Sequence, residues 1–188
     1  PKRDPNFKWN WKVFREEKKK LKIDYPSEHI IDRQIVLKNL EKHKSDSYVM
    51  WLDHASFIIK LGNTTIITDP VFEKYYGYLG FGTKKYIEPP LKLKELPEIN
   101  LFLLSHNHLD HMSQKTINNF PYKNTKVLVP LKLGKYFTKN GYKKDKVKEL
   151  DWFDKIKINE EITVTMLPSQ HWSKRWIWGV GNTNRSLW

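Results

Sequence analysis

The segment that most restricts the fold is residues 99–112, INLFLLSHNHLDHM. Its first seven residues, apolar except for Asn100 and the closing Ser105, form a run of strand length. Such a run has no polar alternation, so it needs a position buried on both faces of a sheet. That strand ends directly in His106, His108, Asp110 and His111, which fall within six consecutive positions. Whatever the chain folds into must therefore hold a buried strand whose end delivers a dense group of polar donors.

If the backbone stays extended, the side chains at 106 and 108 point to the same side and can reach one metal ion. Asp110 and His111 follow where the chain turns into a helix that Ser113 can cap, and they can face a second ion. Neutral imidazoles and a carboxylate form the usual nitrogen and oxygen donor set for zinc, and they also serve iron or manganese. The sequence has no cysteine, which removes thiolate metal sites, disulfides and cysteine nucleophiles from consideration. The plainer alternative, histidines that merely cap a helix, does not account for the H-x-H-x-D-H spacing. Two ions about 3.5–4 Å apart can lower the pKa of a shared water.

Around this segment the pattern is mixed. Residues 29–44 carry apolar positions at 30, 31, 35, 36, 37 and 40, an amphipathic helix pattern. YVMWL (48–52), SFIIKL (56–61) and TTIITD (64–69) read as strands, with Gly62-Asn63 as a hairpin turn between the last two. A loop containing Gly77, Gly80, Gly82 and Pro89-Pro90 follows, and then the strand at 99–105. A helix from Ser113 to about 120, a strand at 126–130, a helix at 131–139 stopped by Gly141, a short strand in KVKEL and a strand at 162–168 complete the reading. The last strand also ends near a histidine, His171. The fold class this supports is α+β, a sandwich rather than a doubly wound sheet. Residues 1–47 read as an aromatic and basic arm with a helix, and 48–188 as the body of the domain.

The arm begins PKRDPNFKW, with aromatics at 7, 9, 11 and 14. It lacks the uninterrupted apolar core of a signal peptide, and no apolar run approaches the roughly 20 residues of a membrane-spanning helix. The absence of an initiator methionine leaves the original targeting open. These aromatics fit a packing anchor, with contact at a membrane surface as the alternative. The formal net charge is +13, from 34 basic and 21 acidic residues. This surplus suits anionic partners, although the lysines are spread along the chain and no RNA-binding motif accompanies them.

SHNHLDHM resembles the signature of the metallo-β-lactamase fold superfamily of metal-dependent hydrolases. MWLDHASFIIKLGNTTIITDPVF (50–72), EPPLKLKELPEINLFLLSHNHLDH, LPSQHW (167–172) and NRSLW (184–188) are similar to one branch of it. That branch holds the N-acyl-phosphatidylethanolamine-hydrolysing phospholipases D and RomA-like bacterial proteins. The resemblance implies a metallo-β-lactamase-like αββα sandwich. It also implies His106, His108 and His171 on a first ion, and Asp110 and His111 on a second. Asp110 would in addition be catalytic by orienting the nucleophile. His54 and Asp69 match the G-H-A and T-D-P positions of the branch and would orient the ligands. Asp53 departs from the glycine usual there.

The branch continues past its NRSLW-like stretch into a second half with a bridging aspartate and a last histidine. Residues 1–188 hold neither. The expectation is therefore the amino-terminal half of the fold, with an apolar sheet face open unless a second copy or a complementing chain covers it.

Function follows as expectation. The resemblance points to a phosphodiesterase of the phospholipase D type using metal-activated hydroxide, with one or two zinc ions, or iron or manganese. Its substrate would be a phospholipid or another anionic phosphodiester. Its location would be cytoplasmic or peripherally membrane-associated. The alternatives are a catalytically inactive remnant or interaction module holding at most one ion, and, lower, a metal-dependent nuclease acting on nucleic acid.

Overall fold

The computed structural model describes residues 26–78, 81–169 and 171, together with Glu16. The chain divides into two compact units, Pro1–Ile31 and Asp32–Trp188. In the first, the described residues include a single 3-10 turn at Ser27–His29. The aromatic positions 7, 9, 11 and 14, and residues 172–188 with the NRSLW stretch, lie outside the described residues.

The second unit opens with helix α1 (Arg33–Lys42), capped by the Asp32 side chain, which accepts from the Gln34 N–H at 2.7 Å. Val36, Leu37 and Leu40 turn toward the core, whereas Ile30 and Ile31 precede the helix and are exposed. Strands β1 (Tyr48–Asp53), β2 (Ser56–Leu61) and β3 (Thr64–Thr68) form an antiparallel meander. Beyond it, β6 (Leu101–Leu103), β7 (Lys126–Pro130) and β8 (Val147–Leu150) add in parallel, giving the order β1-β2-β3-β6-β7-β8. Two antiparallel pairs stand apart from this sheet: β4 (Tyr75–Tyr78) with β5 (Phe81–Lys84), and β9 (Lys155–Lys157) with β10 (Thr163–Thr165).

Burial follows position in the sheet. Edge strand β1 alternates between inward and exposed residues, while β3, β6 and β7 in the middle are buried with little alternation. On one face Ile58, Ile67, Phe102, Val127 and Val129 pack beneath α1, α2 (Gln114–Asn119) and α3 (Lys135–Thr138). Phe102 meets Phe120 and Phe137 edge-on at 5.3 and 5.0 Å between ring centroids, the geometry that aromatic quadrupoles favour.

On the other face Ile66, Leu101, Leu128 and Leu150 meet Met166 and the β9–β10 pair through Ile156 and Val164. That cover does not reach β1. Val49 and Trp51 are 67% and 59% exposed, on the same face as Ile59, the cross-strand partner of Val49. The mixed sheet with helices on one face is an α+β fold.

The elements read from sequence are present with shifted ends. The helix expected over 131–139 is confined to Lys135–Thr138, because Lys132 takes a left-handed φ of 69° and Gly134 begins the first turn. The strand expected over 162–168 pairs only through Thr163–Thr165. The glycine-bearing loop after Asp69 contains the β4–β5 hairpin, where Gly82 has φ of 148°. A Cβ there would fall 1.9 Å from the Tyr76 carbonyl oxygen, so the tight approach of the two strands requires glycine.

Candidate metal centre

Parallel pairing brings the carboxyl ends of β3 and β6 side by side, and with them Asp69 and the 105–111 loop. The Asp69 N–H donates to the Leu103 carbonyl at 3.0 Å, and its Oδ1 accepts from the Ser105 N–H at 2.6 Å. After Ser105 the chain wraps into a turn in which the His111 and Met112 N–H groups both donate to the His108 carbonyl, at 3.2 and 2.8 Å. Ser113 then caps α2 by accepting from the Thr116 N–H. This turn separates the extended pair His106/His108 from Asp110 and His111.

Hydrogen bonding assigns the tautomers. Ionised Asp69 only accepts, so the Ser105 hydroxyl donates to its Oδ2 and is left to accept from His106 Nδ1 at 2.9 Å. Asp69 Oδ2 also accepts from His111 Nδ1 at 2.8 Å. Both rings therefore turn a bare Nε2 outward, the arrangement that outer carboxylates impose on metal-binding histidines. His106 Nε2 lies 2.8 Å from His108 Nδ1, which lies 3.2 Å from His171 Nε2. The His171 ring stands nearly perpendicular to those of His106 and His108, at 4.9 and 5.0 Å between centroids.

Two principal donor groups result, each with its atoms within 4.8 Å of one another: His106, His108 and His171; and His54, Asp110 and His111. Donors held about 2.0–2.1 Å from a tetrahedral ion sit about 3.3 Å apart. The separations of 2.8 and 3.2 Å approach that edge length, so the residues fit a metal ion. The fit is chemical as well, since burial first, and then the neighbouring His111, His108, His171 and His54, hold the His106 pKa down from 6.5 to about 3. His108 is lowered too, by burial and by the His171 and His111 rings, against the opposing pull of Asp110. Neutral imidazole is the ligating form.

All seven residues singled out from the sequence converge here. His54 sits in the β1–β2 turn with a left-handed φ of 44°, and Asp69 has φ of 39°. These conformations are held by Ser56 Oγ donating to the Asp69 carbonyl at 2.6 Å and Thr68 Oγ1 donating to the Ala55 carbonyl at 3.0 Å. Three further residues were missed. Ser105 was legible as the neighbour of His106, but Tyr76 and Lys85 lie in the glycine-bearing segment and have no local signal.

Their role explains Asp53. Its Oδ2 accepts from the Lys85 ammonium at 2.6 Å and from the Tyr76 hydroxyl at 2.5 Å. Lys85 also donates to the Val71 carbonyl at 2.5 Å and lies 4.9 Å from the centre of the Tyr76 ring. The Tyr76 pKa is raised, by burial first and then by the Asp53 hydrogen bond and charge and by Asp110, so its hydroxyl remains a donor. The Tyr76 ring packs against His54 at 5.6 Å between centroids.

Comparison with known proteins gives a consistent picture. A family profile described as a beta-lactamase superfamily domain matches residues 64–188. The chain is 32% identical over 154 residues to N-acyl-phosphatidylethanolamine-hydrolyzing phospholipase D 1 of Caenorhabditis elegans, covering 77% of this chain and 42% of that protein. It is 30% identical over 152 residues to the mitochondrial N-acyl-phosphatidylethanolamine-hydrolyzing phospholipase D of Saccharomyces cerevisiae, covering 79% and 31%. The chain thus spans less than half the length of these curated relatives. Among solved structures, the diiron β-hydroxylase CmlA of Streptomyces venezuelae aligns with a TM-score of 0.48 and 27% identity, over 66% of this chain and 24% of that one.

Proposed function

The chain belongs to the beta-lactamase superfamily, and on that premise we propose that it is a metal-dependent hydrolase acting on phosphodiesters, with phospholipids of the N-acyl-phosphatidylethanolamine type as the substrate class. The observation that carries the reading is the convergence of the His106, His108 and His171 ring nitrogens within 4.8 Å of one another, beside His111, with Ser105 and Asp69 turning Nε2 of His106 and His111 outward. Zinc is the ion that best suits three imidazoles with an open fourth position. When bound, such an ion supplies a Lewis acid and lowers the pKa of water toward neutrality.

The chain's own residues do the rest. His106, His108 and His171 hold the first position, and burial keeps His106 neutral so that protons do not compete for it. Asp110 and His111 would hold the second position, and Asp110 would also orient the attacking water. Asp69 fixes His111 through Nδ1 and His106 through the Ser105 hydroxyl. The net charge of +13 favours approach of an anionic diester. Among the described residues no helix is long and apolar enough to cross a membrane.

The test is turnover of N-acyl-phosphatidylethanolamine in vesicles, and of a chromogenic phosphodiester, with and without a chelator. His108→Ala is expected to abolish chelator-sensitive turnover, and unchanged turnover would refute the assignment. No turnover by the unsubstituted chain, with one bound ion or none, would favour an interaction module instead.

A further inference from the structure

We propose that His54 is a third protein donor to the second ion, completing a site with Asp110 and His111; this rests on reading the centre as metal-binding. His54 Nε2 lies 3.2 Å from His111 Nε2 and 3.2 Å from Asp110 Oδ2. His111 commits its Nδ1–H to Asp69, so its Nε2 faces His54 as a lone pair. Both separations sit at the long end of a hydrogen bond, about 3.2 Å, and they leave His54 equidistant from two electron-rich atoms, close to the edge of a zinc tetrahedron, about 3.3 Å.

The backbone supports a ligand role. His54 takes a left-handed φ of 44°, a costly conformation for a residue other than glycine, which persists when the surroundings enforce it. The β1–β2 register slips between Trp51 and Asp53, a bulge that re-aims the turn. The Trp51 indole N–H donates to the His54 carbonyl at 3.0 Å, fixing the strained peptide. Behind the ring, Tyr76 is held by Asp53, and Asp53 by the buried Lys85, so the imidazole rests against a braced wall. Asp53 thus ties the β4–β5 hairpin, through Tyr76, to the turn that carries His54.

The experiment is a titration of the full chain with Co2+ alone, followed by d–d absorption and by paramagnetic shifts of histidine ring protons. The unsubstituted chain should take two ions, the second shifting ring protons of both His54 and His111. In His54→Gly, which removes the donor and relieves the left-handed strain, the first ion should bind unchanged. The second should weaken by more than about 100-fold, beyond the about 10–100-fold typical of an outer partner. His54→Asn, also suited to that backbone, should give the same result if the glycine variant folds poorly. The proposal is overturned if the second ion binds either variant within 100-fold of the unsubstituted chain, if His54 ring protons do not shift, or if the unsubstituted chain takes one ion only. Binding of one ion at His106, His108 and His171 would leave the proposed function standing, whereas binding of none would remove both.

Discussion

The two donor groups lie side by side, with the His106 and His111 rings 4.0 Å apart between centroids, yet they are secured by different means. His106 is buried at the end of β6, inside the most apolar part of the sheet, and its ring is set by Ser105. His54 and Asp110 have side chains 43% and 39% exposed. The second group is kept in place by a strained turn, by Asp69 behind His111, and by the buried Asp53–Lys85 pair behind Tyr76. Burial does most to keep the His106 imidazole neutral, and a single neighbour, Ser105, aims it. A group at the rim needs a scaffold of hydrogen bonds, and here that scaffold is borrowed from a hairpin that contributes no donor of its own.

The comparison can be broken most severely by His106→Ala, which should abolish loading of the first ion, read by elemental analysis after gel filtration. Asp53→Ala is expected to cost about 3–5 kcal/mol in urea denaturation, because it leaves Lys85, whose side chain is 1% exposed, a buried charge without its carboxylate counterion. Lys85→Met should cost less, since Asp53 keeps the Tyr76 hydroxyl and is more exposed.

Asp69→Ala sharpens the contrast. Affinity for the second ion should fall about 10–100-fold, as for loss of an orienting partner. The first ion should be affected less, since Asp69 reaches His106 only through Ser105. Acid should act on the buried group. With the His106 pKa lowered from 6.5 to about 3, the unfolded metal-free chain binds more protons than the folded one between those values. Stability should therefore decline as pH falls through that window, more steeply than in a metal-free His106→Gln variant. At the small end, Lys157→Ala breaks only the exposed pair with Glu160 and should leave the unfolding midpoint unchanged.

The strands were readable because their residues carry a packing requirement. INLFLLS calls for burial on both faces, and the β-branched and aromatic residues of YVMWL mark a strand, although only the structure shows that it lies at the edge. The β4–β5 hairpin and β9 escaped notice. Tyr75–Tyr78 and Phe81–Lys84 lie among glycines and lysines that read as loop, and Lys155–Lys157 is too short to show a period. The donors on the 105–111 loop were legible from their spacing, whereas His54, Asp69 and His171 were placed only through resemblance, being isolated polar residues far apart in the chain.

The sequence by itself determined which atoms could bind metal: cysteine is absent, and a strand too apolar to lie anywhere but inside the sheet ends in His106, His108, Asp110 and His111. Only the tertiary structure decided how those atoms are held. The parallel pairing of β3 with β6 sets Asp69 against Ser105 and His111, and the β1–β2 turn swings His54 to within 3.2 Å of His111 and Asp110. The physical reason is range. Hydrophobic periodicity acts between neighbours in sequence and leaves its trace there, while a lone carboxylate or imidazole acquires its partner, and with it its protonation and aim, from residues brought near by folding.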